Sequence, residues 1–297
     1  MRVNPYFVTN LSGALDQTQA TQQQLSSELS SGLGITSIGQ NPVDAAQNVQ
    51  LLNQIQTDVS FTQTSNLAQG MLQVTNSALG SVVTQLNQAI SLATEGSNGT
   101  LNASQLQAAS NQLAGIRDEV LSLANTSYQG QYVFGGSQTN NVPFTLSTAT
   151  SPATVTYNGD SVVNSLQPPN GQAIQLNLPG NQIFTSSTAN VLGALNNVIA
   201  DFANGNSNAG ATDTAALNSA LNFVSQQRVT LDNSITRLAT ATTAATNDQT
   251  QLTTVQTNLM QADIPGISTQ LSLVKSQQTA LIGVIAALGS GSLFDKL

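Results

Sequence analysis

The fold is decided by residues 217–259, which read LNSALNFVSQQRVTLDNSITRLATATTAATNDQTQLTTVQTNL. Their spacing alternates between three and four, which places one set of side chains on a single stripe of a helix. The alternation continues without a slip for about six heptads, as is typical of a coiled-coil seam. We therefore predict one long helix whose stripe packs against another helix. The stripe positions are Leu217, Leu221, Val224, Arg228, Leu231, Ile235, Leu238, Thr242, Ala245, Gln249, Leu252, Gln256 and Leu259.

A second long helix is predicted over residues 43–94, and a third over residues 106–123. Asn41 can cap the second helix, Pro42 suits a first helical position, and Asp44 faces the positive end of the helix dipole. Helices of this length need partner helices to be stable in water. The stripe predicted for the second helix is Leu52, Ile55, Val59, Leu67, Met71, Val74, Ala78, Val82, Leu86 and Ala89.

Residues 131–185 are richer in proline and glycine and contain short β-prone runs, which predicts a small β insert. The pair Asn158-Gly159 favours a type I′ turn and predicts a hairpin at that point. A helix over residues 188–203 then leads into the long helix described above. The predicted fold class is mainly α with a small β insert. In it, long antiparallel rods form a coiled-coil-like bundle and the terminal helices pair.

Both ends of the chain carry a weaker stripe that Thr and Gln interrupt. A helix of about 25 residues with such a seam buries too little apolar surface to offset its ordering entropy. We expect both ends to be frayed in a monomer and ordered against neighbouring subunits. The predicted assembly interface is Leu11, Leu15, Leu25, Leu29, Ile267, Leu271, Val274, Leu281, Ile285 and Leu288, and the predicted hinge residues are Gly32, Gly34, Pro265 and Gly266.

These patterns predict three parts. A terminal coiled-coil segment, residues 1–42 and 264–297, forms the assembly core. A helical rod domain covers residues 43–134 and 188–263, and a small β-rich outer domain covers residues 135–187. Polar residues on the seams have two interpretations that stay open: tolerated defects, or devices that fix the alignment of the helices. They are Gln22, Gln249, Gln256 and Gln278.

The composition excludes most catalytic chemistry. The chain has no Cys, His or Trp, so thiolate catalysis, histidine acid–base catalysis and Cys/His metal sites are ruled out. Asp118 and Glu119 are adjacent acids, but neighbours on a helix do not converge on one substrate. We expect no enzyme activity, metal or cofactor. The net charge of −8 argues against a nucleic-acid partner, and the longest apolar run is too short to span a bilayer, so no membrane segment or cleavable signal is predicted.

Several segments carry a resemblance to a known family. Leu25–Gly32 and Asn41–Ala46 resemble the turn and helix start near the beginning of the flagellin superfamily of bacterial flagellar axial proteins. Tyr128–Ser137 and Val155–Asp160 are similar to the members that join hook to filament rather than to the filament subunit. The chain departs from that pattern where Pro265-Gly266 interrupts the approach to the terminal helix, so a kink is expected there.

The resemblance implies a structural role. It implies a homo-oligomeric ring in the extracellular flagellum, between a junction protein on the hook side and flagellin on the filament side. It also implies export through the flagellar type III apparatus, with an export chaperone as a further partner, terminal helices in the inner tube and the insert outside. The alternatives are a flagellin filament subunit, a secreted coiled-coil adhesin or fibre protein whose insert binds a ligand, and a hydrolase that uses Asp118 or Glu119.

Overall fold

The computed structural model describes residues 5–35, 39, 41–187, 189–207 and 210–290. These residues form a mainly helical fold with a small β insert, which confirms the predicted fold class. The helices are α1 Pro5–Ser31, α2 Pro42–Ser97, α3 Ala103–Ala124, α4 Gly180–Ile183, α5 Val191–Ala203, α6 Gly210–Met260 and α7 Ile264–Ser290. The strands are β1 Ser127–Tyr128, β2 Gln131–Tyr132, β3 Phe144–Ser147, β4 Thr154–Tyr157, β5 Ser165–Leu166 and β6 Ile174–Gln175.

The chain divides into two compact units. The terminal unit contains residues 1–57 and 247–297, and the main unit contains residues 58–246. Both boundaries fall inside the long helices α2 and α6, so each of these helices contributes to both units. The three-part division drawn from the sequence stays a prediction.

The main unit has one continuous hydrophobic core, to which α2, α3, α5, α6 and the insert all contribute. The stripe predicted for α6 points into this core: Leu217, Val224 and Leu238 are fully buried, and Leu231 is nearly so. The alternating three- and four-residue spacing therefore identified the buried face of this helix correctly.

The stripe predicted for α2 was partly wrong. Leu67 is 57% exposed and Leu52 is 46% exposed. In the stretch around Leu67, the buried stripe runs one position further along the chain, because two of its members are polar and the apolar pattern missed them. Thr75 tolerates burial because its hydroxyl donates a hydrogen bond to the Met71 carbonyl at 2.8 Å. The buried stripe is Phe61, Ser65, Ala68, Leu72, Thr75, Leu79, Val82 and Leu86.

The insert consists of three antiparallel hairpins, β1–β2, β3–β4 and β5–β6. The hairpin predicted at Asn158-Gly159 is wrong. Strand β4 pairs with the preceding strand β3 in antiparallel orientation, with Phe144 opposite Tyr157 and Ser147 opposite Thr154. The turn between them therefore lies at residues 148–153. Asn158 follows the pair, and its N–H donates to the Pro143 carbonyl at 2.7 Å. A turn with two positive φ angles does occur, but at Gln129-Gly130 between β1 and β2.

Three aromatic rings join the insert to the helical core. Phe134 and Phe184 meet edge to face with centroids 5.1 Å apart, and Phe144 lies 5.3 Å from Phe184. All three rings are buried. Edge-to-face contacts of this kind add to the stabilisation from area burial. The insert is therefore packed on the main unit as part of its core.

Candidate assembly site

The terminal unit pairs α1 with α7, as the sequence predicted for the two ends. Its hydrophobic core is small: Leu25, Ala262 and Ile267 are buried together, and Leu271 and Val274 pack against them. The other predicted interface positions whose side chains are described are half-buried or exposed. Leu11, Leu15, Leu281 and Ile285 are half-buried, Leu29 is 36% exposed, and the side chain of Leu288 lies outside the described residues.

A glutamate occupies the buried position that the sequence suggested for Leu29. Glu28 is only 8% exposed, and its carboxylate accepts a hydrogen bond from the Gln24 side chain at 2.9 Å. Leu25 and Glu28 are three residues apart, so both lie on the inner face of α1, whereas Leu29 turns towards its edge. Sequence reasoning missed Glu28 because apolar periodicity assigns no buried position to an acid.

The outer face of α7 carries several apolar side chains that the described part of the chain leaves uncovered. Leu273 is 57% exposed, Ile282 50% and Val284 43%. They lie beside half-buried Leu271, Leu281 and Ile285 on the same helix. Since α7 presents apolar groups on more than one face, pairing with α1 satisfies only part of its surface.

The segment after α1 is tied to the segment after α6 by backbone hydrogen bonds. The Gly34 N–H donates to the Met260 carbonyl at 2.7 Å, and the Ala262 N–H donates to the Gly32 carbonyl at 3.0 Å. Leu33 and Gln261 form the antiparallel bridge between these bonds. Gly32 has a φ of 69°, which glycine adopts without strain, so it ends α1 and turns the chain into the bridge.

The two predicted hinge residues near the second joint lie in the first turn of α7. Helix α6 ends at Met260 and α7 begins at Ile264, so the break itself lies at residues 261–263, just before Pro265 and Gly266. Asp263 caps the new helix: its carboxylate accepts from the Gly266 N–H at 3.2 Å, and its carbonyl accepts from the Ile267 N–H at 2.8 Å. Whether the joints bend stays a prediction.

One polar seam residue has a specific partner. The Gln256 side chain donates to the Asn48 side-chain oxygen at 2.9 Å. The pair borders a cavity of about 400 Å³ that Leu33 and Met260 also line. A hydrogen bond across a seam forms in one alignment of the two helices only, which favours register control over a tolerated defect at this position.

The arrangement offers surfaces for packing and little for catalysis. Asp118 accepts from the adjacent Arg117 guanidinium at 2.7 Å, and its side chain is 60% exposed. Glu119 is exposed on the same helix. Within the described ranges, no three carboxylates converge on a point that could hold a metal ion, and no helix there is long and apolar enough to span a bilayer.

The chain is similar in sequence and in fold to several known proteins. Residues 6–139 match the model of the bacterial flagellin N-terminal helical region. This part of the chain is similar to the N-terminal helical region of bacterial flagellins. The chain is 28% identical, over 184 residues, to the flagellar hook-associated protein 3 of Salmonella typhimurium, and 25% identical over 179 residues to the protein of that name in Escherichia coli.

The aligned region covers 62% and 60% of this chain, and it spans about half the length of each of these two relatives, 56% and 55%. Two solved structures share the fold. Hook associated protein-3 of Legionella pneumophila has a TM-score of 0.62 at 13% identity and matches 72% of this chain and 98% of its own. FlgL of Bacillus cereus has a TM-score of 0.56 at 21% identity and matches 71% of this chain and 99% of its own.

Proposed function

We propose that this chain is a structural subunit of the bacterial flagellum, a junction protein that connects hook to filament. It acts by self-assembly through α1 and α7 into a ring, and it catalyses no reaction. The ring lies outside the cell, between a junction protein on the hook side and flagellin on the filament side. An export chaperone that holds the terminal segments before assembly is a further proposed partner.

The observation that carries this proposal is the incomplete core of the terminal unit. Among the described residues of this unit, the one buried apolar cluster is Leu25, Ala262 and Ile267, while Leu273 and Ile282 on α7 are half or more exposed. Apolar surface left open in this way is typical of a protein–protein interface. Packing of one stripe against a different stripe on the next copy is a heterologous contact, which generates rings or helical arrays. The names of the curated relatives support the same role.

To test this proposal, residues 266–297 are deleted, and the folding and the assembly of the shortened chain are measured separately. The main unit keeps its whole hydrophobic core in this variant, so we expect a soluble, α-rich protein by circular dichroism. We expect it not to restore swimming to a bacterium that lacks its own junction protein. Filaments should then be absent while hooks remain visible by negative-stain electron microscopy.

A matched pair of point variants separates the interface from general damage. Leu281→Asp places a charge on a half-buried apolar position of α7, and Gln277→Asp places the same charge on an exposed position of that helix. We expect the first to abolish assembly and the second to leave it intact. Full assembly of Leu281→Asp, or of the deletion variant, contradicts the proposal.

The alternatives make different predictions in the same experiments. A filament subunit polymerises alone into long filaments, whereas a junction subunit needs a hook or filament end. An adhesin whose insert binds a ligand leaves swimming unaffected when it is deleted. Unaffected swimming in a strain that lacks the chain therefore excludes both flagellar functions.

A further inference from the structure

Asparagine is followed directly by glycine at four places in the chain, all of them in the main unit. The pairs are Asn98-Gly99, Asn158-Gly159, Asn170-Gly171 and Asn204-Gly205. In such a pair the backbone nitrogen of the glycine can attack the asparagine Cγ atom and close a cyclic imide, because glycine has no Cβ atom to obstruct the approach. The reaction needs a glycine nitrogen that is free to lose its proton and an asparagine side chain that is free to turn. The sequence alone does not separate the four pairs, but the structure does.

The Asn158-Gly159 pair is held by its surroundings. The Asn158 side chain donates to the Val142 carbonyl at 3.3 Å and to the Thr145 hydroxyl at 3.4 Å. Gly159 lies so close to another segment that an added Cβ atom would be 2.6 Å from the Gly135 carbonyl oxygen. The asparagine side chain therefore turns towards the glycine nitrogen only after local opening of the insert, and a reaction that waits for such opening is slow.

Two further pairs follow the end of a helix. Asn204 is the C-cap of α5, and the Gly205 N–H already donates to the Phe202 carbonyl at 3.1 Å. Asn98 follows the last residue of α2, and its side chain is exposed. The carbonyl groups at the C-terminal end of a helix carry partial negative charge, which disfavours the nitrogen anion that forms during the reaction. We therefore expect Asn98 to react slowly and Asn204 more slowly still.

The fourth pair lies in the turn of the β5–β6 hairpin, where neither restraint applies. Asn170 and Gly171 are both exposed, and among the described residues neither the Asn170 side chain nor the Gly171 N–H has a hydrogen-bond partner. A positive charge lies at the next residues of the chain, since the Arg237 guanidinium donates to the carbonyls of Gln172 at 3.4 Å and Ala173 at 3.2 Å. A nearby cation favours the nitrogen anion, so the electrostatic effect here is opposite to that at the helix ends.

We propose that Asn170 is a site of spontaneous deamidation in the folded protein. The Gly171 nitrogen gives up its proton and forms a bond to the Asn170 Cγ atom, and the Asn170 Nδ2 atom leaves with a proton as ammonia. Water then opens the cyclic imide at either carbonyl, which gives aspartate or isoaspartate without any change in oxidation state. Either product adds a negative charge to the insert, close to Arg237. The proposal is independent of the flagellar role.

The test uses hydroxylamine, which cleaves the backbone at a cyclic imide, so the fragment sizes identify the pair that has reacted. The folded full-length chain is incubated with it at pH 9, beside the same chain unfolded in guanidinium chloride. In the unfolded chain, all four pairs should be cleaved at similar rates. In the folded chain, cleavage at Asn170 should be faster than at Asn98, and at least about tenfold faster than at Asn158 or Asn204, which react only through local opening. Mass spectrometry of protein aged without hydroxylamine should find aspartate and isoaspartate at residue 170.

Two glycine variants give a matched control. An alanine fits at Gly171, because its Cβ atom would lie 3.4 Å from the nearest atoms, the Cβ and Cγ of Pro168. Gly171→Ala should therefore fold as the wild type does and slow cleavage at Asn170 by about tenfold or more, since the added methyl group obstructs the attack. Gly115→Ala, at an open position of α3 that follows no asparagine, should leave the rate unchanged.

Three results would overturn the proposal. The first is equal cleavage of the four pairs in the folded chain, and the second is faster cleavage at any pair other than Asn170. The third is a Gly171→Ala variant that is cleaved at residue 170 as fast as the wild type.

Discussion

The two units of the chain differ in how completely they bury their own apolar side chains. In the main unit, Phe134, Phe144, Phe184 and Phe202 have at most 1% of their surface exposed, and a long run of leucines on α2, α3, α5 and α6 is equally enclosed. In the terminal unit the core cluster consists of Leu25, Ala262 and Ile267, each still 5–7% exposed. Both units are built from helices with the same alternating spacing, so periodicity alone does not separate them.

The difference predicts that the two units depend to different degrees on contacts with other chains. Apolar burial contributes roughly 25 cal/mol per Å², so a unit with a continuous core can offset its ordering entropy by itself. A single pair of helices with half-buried leucines gains much less, and it gains the rest only from neighbours. We therefore expect the main unit to fold by itself, and the proposed function assigns the contacts with partners to the terminal unit.

The largest expected effect comes from cutting into the core of the main unit. Leu86→Ala removes a fully buried side chain of α2 and leaves a cavity, which should lower the free energy of unfolding by about 2–5 kcal/mol. Leu271→Ala removes a half-buried side chain of α7 and should lower it by about 1 kcal/mol or less. Urea denaturation followed by circular dichroism measures both values.

We expect the opposite order when assembly is measured. At equal concentrations of folded protein, and relative to the wild type, Leu271→Ala should reduce assembly more than Leu86→Ala does. Equal losses of stability in the two variants would break the comparison, because the terminal unit would then have a core of its own.

A smaller effect is expected from close packing between α2 and α5. A Cβ atom at Gly96 would lie 2.3 Å from the Cζ atom of Phe202, whose ring is fully buried and cannot move away. Gly96→Ala should therefore destabilise the chain by about 1–3 kcal/mol. At Gly13 on α1, nothing lies within 4 Å of an added Cβ, so Gly13→Ala should be neutral or stabilise by up to about 1 kcal/mol.

The melting temperatures of Gly96→Ala and Gly13→Ala, measured beside the wild type, compare the close packing of the main unit with the open surroundings of α1 in the terminal unit. A stable Gly96→Ala protein would mean that the main unit is looser around Phe202 than its geometry indicates.

The sequence predicted the helices well, because their existence depends on periodicity that a reader can count. The stripe on α6 and the cap at Asn41 were both correct; the Asn41 side chain accepts from the Asp44 N–H at 3.3 Å. The errors arose where burial does not follow polarity. On α2, Ser65 and Thr75 occupy buried positions, and on α1, Glu28 does. The Thr75 hydroxyl and the Glu28 carboxylate each have a hydrogen-bond partner one turn away on their own helix, which allows their burial, whereas the Ser65 Oγ has no such partner among the described residues. Apolar spacing carries no trace of any of the three.

The sequence predicted that the insert is formed by β-strands, but it did not predict which strands pair or where their turns lie. Proline, glycine and β-prone residues indicated strands. The pair Asn158-Gly159, however, which favours the turn of a hairpin, lies after strand β4 and not between two paired strands. Gly159 is held there by close contact, since an added Cβ would lie 2.4 Å from the Tyr157 hydroxyl and 2.6 Å from the Gly135 carbonyl. The glycine is needed because the Tyr157 side chain and the backbone of a distant segment, at Gly135, both approach it, and the second contact is a tertiary cause that local turn preferences do not contain.

The smallest expected effect is a dependence on alkaline pH that belongs to the main unit alone. The Tyr157 hydroxyl lies 2.9 Å from the Phe134 carbonyl oxygen and 2.8 Å from that of Asp160, and these two acceptors share its single proton. Burial raises the pKa of Tyr157 to about 12, opposed by the backbone of Gly180 and assisted by the charge of Asp160. The folded-state pKa exceeds the unfolded value of about 10, so this stabilisation is complete below pH 10 and is lost as the pH rises from 10 to 12.

Because the Tyr157 ring is partly exposed to solvent, the free energy of unfolding should fall by about 1 kcal/mol, which is less than the change in the Tyr157 pKa would give for a fully buried group. Urea midpoints at pH 8, 10 and 11.5 measure it. Tyr157→Phe should start lower at pH 8, since it lacks the hydrogen bond, and should fall less steeply above pH 10. Tyr6→Phe, at a position 77% exposed in the terminal unit, should keep the wild-type profile. If the urea midpoints of the wild type and Tyr157→Phe fall in parallel with rising pH, the loss of stability in alkali does not come from Tyr157.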